Sequence, residues 1–342
     1  MDIQKEISLK EHTTLHIGGV AEYFVQVQNI GELREAIHFA KERGLHVTVL
    51  GGGSNVLVSD AGVRGLVIQN QITGISSAVV DNTVELSAGS GEVFDEVVAH
   101  AVEHGWWGLE NLSCIPGSVG ATPIQNVGAY GTEVSDVIVR VQAYDTETDA
   151  VVTLLPSACV FGYRDSLFKH QDGKRYIVTE VVYSLSKIPA PKLHYRDLAT
   201  WNETRATQTP PTLSEIRTEV CRIRAGKFPD WHTLGTAGSF FKNPIISRAH
   251  FEKLVAQYPA LVGHSAPDGK VKISLGWVLD HVLSVRGYRE GAVGTYSEQA
   301  LVLVNHGGAS SSEVTLFADR IAERVHEALD ITIEREVTFI GD

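Results

Sequence analysis

The first third of the chain alternates between the hydrophobic pattern of strands and that of helices. Residues 23–27 and 46–50 are short apolar runs that predict strands, and residues 32–43 have the spacing of an amphipathic helix ending at Gly44. A strand at 83–87 and a helix at 93–104 follow. These segments predict a βαβ unit that leads into further sheet structure.

The pattern then changes to consecutive strands. Residues 137–144, 151–155 and 176–185 predict an antiparallel set, so the sheet is expected to be mixed. Residues 187–211 are rich in Pro, Thr and Asn, and we interpret them as an ordered crossing loop or linker. Beyond them we predict helices near 214–224, 250–257 and 275–282, a strand at 300–304, a helix capped by residues 310–313 and ending at 329, and a last strand at 331–340.

Two segments stand out because of their glycines. The stretch from Asn111 to Thr132 is 22 residues without Asp, Glu, Lys or Arg, but with four glycines and two prolines. These helix breakers exclude a membrane span and predict a buried loop, whose backbone N–H groups an extended polar ligand could satisfy. Residues 46–58, HVTVLGGGSNVLV, place three glycines before Ser54 and Asn55 and favour a bound phosphate. One such run alone is usually a tight hairpin, but two favour a cofactor bed.

Known nucleotide motifs do not fit these runs. The run that starts at Gly51 does not match a Walker loop, because position 56 is Val56 and no Lys-Ser/Thr pair follows. The nearest GxGxxG starts at Gly89 and has Phe94 in its third glycine position. The spacing therefore disfavours a dinucleotide-binding fold of that kind and a P-loop ATPase.

Composition limits the classes of function. A length of 342 residues fits two or three domains, and a net charge of −12 without a Lys/Arg run argues against nucleic acid. The three cysteines form no CxxC, so we expect neither a disulfide framework nor a zinc ribbon. The N-terminus lacks the apolar run of a secretory signal, and we expect a cytoplasmic protein.

Histidines and nucleophiles give little support for other chemistry. The i, i+4 pairs His12/His16 and His100/His104 are interpreted as solvated faces, and no metal site is expected. The sequence contains no GxSxG nucleophile elbow.

Three residues in polar–aromatic settings are candidates for catalysis. Arg164, in FGYRDSLFK, could meet a substrate carboxylate or form an ion pair with Asp165. Ser239, in GTAGSFFKNP, could pass a proton or only cap a turn. Glu336 would share a strand face with Glu334, where a carboxylate is usually solvated.

A fourth candidate is basic. The cluster Arg222, Arg224 and Lys227 could hold a diphosphate or form a solvated helix end.

Taken together, these motifs occur in the order and spacing of one family. They are LGGGSNVL, IPGSVGATPIQNVGAYG, FGYRDSLFK, IRAGKFPD, AGSFFKNP and IEREVTFIG. Over nearly its full length the chain resembles the UDP-N-acetylenolpyruvoylglucosamine reductases, flavoenzymes of peptidoglycan synthesis. The resemblance implies an α+β fold, with a two-lobed FAD-binding domain of the vanillyl-alcohol-oxidase (PCMH) type and a C-terminal α+β substrate-binding domain. The first lobe would comprise residues 1–68 and 331–342, the second lobe 69–212, and the substrate-binding domain 213–330.

By this resemblance FAD is bound noncovalently, since no His or Cys is recognisably placed for covalent attachment. Cys114 and Ser118 depart from the family's pattern, which bears on local contacts only. The implied cofactor-binding residues are Gly51, Gly52, Gly53, Ser54, Asn55, Ile115, Pro116, Gly117, Gly120, Ala121, Thr122, Ile124, Asn126, Gly128 and Arg164.

The resemblance also implies the reaction. NADPH reduces the flavin and leaves, and UDP-N-acetylglucosamine enolpyruvate then occupies the same cleft and receives hydride from N5, giving UDP-N-acetylmuramate. Arg164 and Glu336 would stabilise the anionic intermediate, and Ser239 would give the proton. Tyr195, in LHYRDL, matches the loop tyrosine of the longer type of the family. The implied substrate-binding residues are Tyr163, Tyr195, Lys227, Asn243 and Gln299.

Two alternatives stay open at this point. One is another FAD-dependent oxidoreductase of the same fold, acting on a small hydroxy acid or a lactone, and the other is a noncatalytic flavin- or nucleotide-binding module. The expected partners are the sugar nucleotide and NADPH only, with no nucleic acid, no membrane and a monomeric state. The expected cellular roles are cell wall biogenesis, cell shape and cell division.

Overall fold

The computed structural model describes residues 1–207 and 209–341. Gln208, in the predicted linker, and Asp342, at the end of the predicted first lobe, lie outside the described residues. The chain forms two compact units, each built from separate stretches of sequence. The first unit is Met1–Ile7, Ala21–Gly53 and Arg64–Ala225, and the second unit is Ser8–Val20, Ser54–Val63 and Gly226–Asp342.

The helices are α1 Ile30–Arg43, α2 Phe94–Glu103, α3 Pro156–Cys159, α4 Arg196–Thr204, α5 Leu213–Ala225, α6 Arg248–Gln257, α7 Leu275–His281 and α8 Ser311–Leu329. The strands are β1 Gln4–Ser8, β2 Val20–Val27, β3 Val47–Leu50, β4 Val56–Val58, β5 Val63–Asn70, β6 Ile75–Val80, β7 Thr83–Gly89, β8 Gly128–Ala129, β9 Thr132–Glu133, β10 Ile138–Asp145, β11 Ala150–Leu154, β12 Tyr176–Ser186, β13 Gly235–Ser239, β14 Ile245–Ile246, β15 Gly263–Ser265, β16 Val271–Ile273, β17 Arg289–Glu290, β18 Val293–Thr295, β19 Val302–Asn305 and β20 Thr338–Ile340. Single 3₁₀ turns lie between several of them.

The first unit opens with a four-stranded sheet in the order β1-β2-β5-β3, covered by α1. The side chain of Asn29 accepts from the Glu32 N–H at the start of α1, and Gly44, with φ 62°, ends the helix. Leu33 and Ile37 of α1 are buried in the core, and each such side chain stabilises the fold by about 1.5–3 kcal/mol. The predicted order of strand, helix and strand is confirmed, but β5, which was not predicted, lies between β2 and β3.

A five-stranded sheet, β11-β10-β12-β7-β6, forms the rest of the first unit's framework. Its neighbouring strands are all antiparallel. The predicted antiparallel set is therefore confirmed. The central strands are buried against α2, and their core also receives Val119 and Val127 of the charge-free segment.

The predicted linker is not without structure, because α4 lies within it. Leu198 of α4 is fully buried in a cluster with α5, and Trp201 packs against the same cluster. The interpretation as a loop is wrong for these residues. The Pro, Thr and Asn content obscured one short apolar stripe at i, i+3 spacing.

The second unit contains an antiparallel sheet, β13-β19-β18-β17, a small sheet, β14-β16-β15, and helices α6 to α8. The Ser310 hydroxyl accepts from the Glu313 N–H, and the Glu313 carboxylate accepts from the Ser310 N–H. This capping box confirms the predicted start of α8.

The end of the chain differs from the prediction. Only β20 is a strand, and it pairs in parallel with β4, Thr338 opposite Val56. Before it, Arg335 makes a single bridge to Phe241, while Ile333 and Val337 are buried in the core. A strand over the whole of 331–340 is therefore wrong, because much of this apolar pattern serves packing on the core rather than pairing with a neighbouring strand.

One cysteine prediction is also wrong. Cys114 and Cys221 form a disulfide, with Cα atoms 5.4 Å apart and a sequence separation of 107. Missing CxxC motifs say nothing about cysteines that only the fold brings together. Closing so long a loop raises the free energy of unfolding by about 4–5 kcal/mol in the chain-entropy model. Cys159 is buried and free.

Candidate active site

Two glycine-rich loops of the first unit lie against each other. A Cβ atom on Gly51 would stand 2.3 Å from the Ser118 hydroxyl, and one on Gly52 would stand 3.0 Å from the Cα of Gly117. Side chains at these positions would fill the junction, so glycine is needed for the approach. The two segments predicted to hold the cofactor thus form one surface of bare backbone, and a flavin nucleotide, whose phosphates bind backbone amides, fits such a surface.

The charge-free segment is fixed to the loop between β7 and α2. The Gly120 N–H donates to the Ser90 carbonyl at 2.8 Å, and the Phe94 N–H donates to the Gly117 carbonyl at 3.0 Å. A Cβ on Gly120 would meet the Ser90 Cβ at 2.7 Å. Part of the hydrogen-bonding demand that suggested a ligand is therefore met by the protein itself.

The other predicted cofactor residues of this segment lie at different depths. Thr122 is buried, Ile115 and Ile124 are half-buried beside the core of the first unit, and Pro116 and Ala121 are exposed.

Arg164 lies against the charge-free segment. Its guanidinium donates to the Gly128 carbonyl through Nη2 at 2.5 Å and to the Asn126 carbonyl through Nη1 at 3.4 Å, and it stands 5.4 Å from the centre of the Tyr163 ring. Arg164 has φ 52°, a left-handed conformation that a side chain rarely adopts without support. The first unit therefore brings Arg164, Tyr163, Asn126 and Gly128 together.

The sequence left open an ion pair between Arg164 and Asp165, but the Asp165 carboxylate has a different partner in the structure. Asp165 instead accepts from His170, with 2.9 Å between Oδ2 and Nε2. Lys169, five residues after Arg164, donates to the Arg164 carbonyl. The backbone of Arg164 is thereby held from its own loop.

Asn126 is buried and bonded within the protein. Its amide group donates to Glu133 at 2.9 Å and to the Gly162 carbonyl at 3.0 Å, and its side-chain oxygen accepts from the Ser135 N–H at 3.1 Å. These bonds fix the charge-free segment to the loop that carries Arg164.

Tyr195 stands at the start of α4 and packs edge-on against Tyr130, with ring centroids 5.3 Å apart. Burial raises the pKa of Tyr130 to about 12, and burial and nearby Asp197 raise the pKa of Tyr195. Both phenols are therefore neutral donors near pH 7. Tyr130 was not predicted as a site residue, although an aromatic ring inside a charge-free glycine segment was a visible signal.

The basic cluster of α5 does not act as one group. Arg222 binds Glu219 at 2.6 Å and is largely exposed, whereas Arg224 donates from Nε to the Cys114 carbonyl at 2.9 Å and hydrogen-bonds to Tyr130. Burial lowers the pKa of Arg224. The interpretation of Arg222 as a diphosphate ligand is not supported, because its side chain is engaged on its own helix.

The second unit brings Ser239, Glu336 and Asn55 together. Ser239 ends β13 after Gly238, whose φ is 74°. The Glu336 N–H donates to the carbonyl of Phe240, the residue after Ser239, at 2.8 Å. The Asn55 side chain donates to the Glu336 carbonyl at 3.2 Å. Backbone pairing thus brings the main chain of Glu336 next to the residue that follows Ser239.

Asn243 and Gln299 converge on the start of α7. The Asn243 side-chain oxygen accepts from the Leu275 N–H at 2.9 Å, and a Cβ on Gly276 would stand 2.8 Å from the Gln299 side-chain oxygen. Lys227 is half-buried just beyond α5. Ser54 is half-buried directly before Asn55.

The described residues show neither a metal cluster nor a membrane-spanning helix. In residues 1–207 and 209–341, no group of three or more His, Cys, Asp or Glu side chains is arranged to hold a metal ion. The rings of His100 and His104 lie 4.2 Å apart, and burial lowers the pKa of His100. Over the same part of the chain, no helix has the length and apolar character needed to cross a bilayer.

Comparison with known proteins agrees with this geometry. Residues 21–154 match a family model described as an FAD binding domain, and residues 230–340 match one described as the C-terminal domain of UDP-N-acetylenolpyruvoylglucosamine reductase. The reductase of that name from Ralstonia nicotianae is 41% identical over 336 residues, covering 97% of both chains. The chain belongs to the UDP-N-acetylenolpyruvoylglucosamine reductase family.

Two further relatives extend the comparison. The Pseudomonas aeruginosa reductase is 39% identical over 98% of both chains. A crystal structure of the Thermus caldophilus enzyme has a TM-score of 0.68 and 26% identity, covering 99% of both chains.

Family membership confirms several predictions. The chain is an FAD-dependent oxidoreductase of peptidoglycan synthesis that uses NADPH, with an FAD-binding domain of the predicted type and a C-terminal α+β domain. The alternative of an enzyme acting on a hydroxy acid or lactone is not favoured, because the C-terminal match is to this reductase.

Proposed function

We propose that the chain reduces the enolpyruvyl ether of UDP-N-acetylglucosamine enolpyruvate to UDP-N-acetylmuramate, with Arg164, Ser239 and Glu336 as the catalytic residues. One observation supports the roles of Ser239 and Glu336. Glu336 pairs through its backbone with Phe240, next to Ser239, although the two residues are far apart in sequence.

Bound FAD supplies the hydride. The protein's own residues manage charge and protons. Arg164 offers a cation where negative charge develops on the substrate carboxylate, and a preplaced donor of this kind is worth about 3–4 kcal/mol. Ser239 delivers a proton to the carbon next to the one that receives hydride, and Glu336 stabilises the same anion through a hydrogen bond.

The binding roles follow the same proposal. FAD is held noncovalently by Gly51 to Asn55 and by the segment from Ile115 to Gly128, including Pro116, Gly117, Gly120, Ala121, Thr122, Ile124 and Asn126, with Arg164. The substrate is held by Tyr163, Tyr195, Lys227, Asn243 and Gln299. Tyr195 closes on the diphosphate, and its edge-on contact with Tyr130 places it next to the charge-free segment.

We keep the proposed domain division of 1–68 with 331–342, 69–212, and 213–330. The parallel pairing of β20 with β4 supports the return of the chain end to the predicted first lobe. We further propose a cytoplasmic monomer that binds neither nucleic acid nor membrane. The net charge of −12 supports the proposal that the protein does not bind nucleic acid.

A single assay tests the function. The purified protein is expected to show a flavin spectrum and to oxidise NADPH rapidly only when UDP-N-acetylglucosamine enolpyruvate is added. Small hydroxy acids and lactones, offered in its place, are expected to give no turnover. A colourless protein that takes up no FAD would contradict the proposal, and so would a flavoprotein that ignores the enolpyruvyl substrate.

A further inference from the structure

Cys114 is held at three of its atoms, directly before the first predicted cofactor residue of its segment. Its N–H donates to the Asp95 carboxylate, its carbonyl accepts from Arg224 at 2.9 Å, and its sulfur is bonded to Cys221. Its φ is 58°. A residue with a Cβ keeps this left-handed conformation only where its surroundings enforce it.

Helix α5 provides most of this restraint. Arg217, Cys221 and Arg224 stand at i, i+4 and i+7, which places them on one face of the helix. Arg217 binds both oxygens of Asp95, at 2.6 and 2.9 Å. We call Asp95, Arg217, Cys221 and Arg224 the Cys114 clamp.

The clamp decides the direction of the chain towards Gly117. That glycine has φ 113°, receives the Phe94 N–H on its carbonyl, and supports the close approach of Gly52. If Cys114 relaxed to an extended conformation, the residues after it would leave this path. The junction between the two glycine-rich loops would then open.

We propose that the Cys114–Cys221 disulfide is a positioning element for the flavin-binding turn 114–117, so that its reduction weakens FAD binding. The proposal rests on the proposed cofactor role of Ile115, Pro116 and Gly117. It assigns the cysteines no part in hydride or proton transfer. The disulfide acts through the backbone it holds.

The step itself is a thiol–disulfide exchange. A thiolate of a dithiol reductant attacks one sulfur of the disulfide, which breaks the S–S bond and releases the other cysteine as a thiol. The reductant's second thiol then attacks this mixed disulfide, releases the attacked cysteine, and leaves the reductant as a cyclic disulfide. Two electrons and two protons pass to Cys114 and Cys221. Both cysteines are half-buried rather than enclosed, so a small dithiol can reach them. In the proposed cytoplasmic setting, thiol systems favour the reduced form, which makes the bond a sensor of oxidation.

The experiment compares the holoenzyme before and after reduction with dithiothreitol. Thiols counted in denaturant should rise from one, Cys159, to three. FAD affinity, followed by the fluorescence of released flavin, should fall roughly tenfold. The loss should be reversed on reoxidation.

Three variants separate positioning from general stability. Cys221→Ser should bind FAD as weakly as the reduced wild type, whereas the control Cys159→Ala, which keeps the disulfide, should keep the wild-type affinity. Cys114→Gly combined with Cys221→Ser should recover affinity to within about threefold of the wild type, because glycine adopts positive φ freely. Thermal unfolding of both disulfide-free proteins should fall alike, so a rescue of FAD binding alone marks positioning.

The outcomes are distinct. Reduced protein and Cys221→Ser that both keep FAD affinity within twofold would overturn the proposal while leaving the enzyme's function intact, and so would three reactive thiols in the oxidised protein. A double variant no better than Cys221→Ser would also overturn it. A protein that binds no FAD in either redox state would overturn the proposed function together with this inference.

Discussion

In the first unit, the predicted flavin segment is irregular and takes its shape from side chains, whereas in the second unit Ser239 and Glu336 are placed by backbone pairing. The turn at Cys114 needs a carboxylate, an arginine and a disulfide to hold one residue. Glu336 is placed by the bond from its N–H to the Phe240 carbonyl, by the Asn55 side chain and by the bridge between its neighbour Arg335 and Phe241. A surface that presents bare backbone to a ligand has no regular ladder of backbone hydrogen bonds. Its stability therefore comes from side-chain contacts at its ends.

This contrast predicts that a change at Ser239 in the second unit damages chemistry, and that changes at the glycine-rich loops of the first unit damage cofactor binding. Ser239→Ala is expected to have the largest effect. It should lower kcat for the enolpyruvyl substrate by ~10²–10⁴-fold, the usual worth of a positioned proton donor, with FAD affinity unchanged. Stopped-flow NADPH oxidation and flavin titration measure the two quantities.

The matched control is Ser265→Ala, the same chemical change on an exposed strand of the same unit. It should leave both quantities at the wild-type level. If Ser239→Ala kept more than a tenth of wild-type turnover, the serine would not be the proton donor.

The next change tests the loop junction of the first unit. Gly51→Ala should weaken FAD binding by roughly 10–100-fold, because overpacking a filled site costs about 1–3 kcal/mol. The new Cβ would lie 2.3 Å from the Ser118 hydroxyl oxygen but 3.5 Å from the Ser118 Cβ. Removing that oxygen in Gly51→Ala/Ser118→Ala should therefore restore most of the affinity.

Flavin fluorescence titration of both single variants and the double variant completes this cycle. Additive losses, with no rescue in the double variant, would show that the contact between the loops does not set FAD affinity.

The smallest effect concerns pH. Although burial opposes it, the hydrogen bonds from Arg217 and from the Cys114 N–H lower the pKa of Asp95 below its ordinary value of 3.8. A carboxyl whose pKa is lowered by folding stabilises the fold above its unfolded pKa, and that contribution is lost as the pH falls through the folded value. FAD affinity should thus be flat near neutrality and should fall in acid below pH 3.8.

Asp95→Asn, which cannot ionise, should show no such acid step and should bind FAD modestly more weakly at pH 7, because Arg217 and the Cys114 N–H lose a charged acceptor. The loss stays small because the disulfide and Arg224 still hold the turn. An acid step of equal size in Asp95→Asn would assign it to another group.

Sequence patterns predicted the parts that depend on neighbours in the chain. Gly44, the Ser310–Glu313 capping box and the alternation in β10 and β12 all act within a few residues, and each was confirmed. The two glycine-rich runs were identified for the same reason. The family resemblance supplied the roles of Arg164, Ser239 and Glu336, which stay predictions.

Features that depend on distant parts of the chain were missed. The disulfide joins residues 107 apart, and Asp95 meets Arg217 only because α2 and α5 pack together. Helix α4 was overlooked because Leu198 is buried, and Trp201 half-buried, through packing against the separate helix α5. No local pattern encodes these partners, so composition alone gave the wrong answer for the cysteines and the linker.

The position of the last strand has a consequence for biosynthesis. Residues 338–340 lie beside residues 56–58, which leave the ribosome almost three hundred residues earlier. The second unit therefore cannot complete its fold around Asn55 while translation continues, and a chain cut short near its end lacks both Glu336 and the partner of β4. If Glu336 has the proposed role, a chain that stops before residue 336 is expected to be inactive.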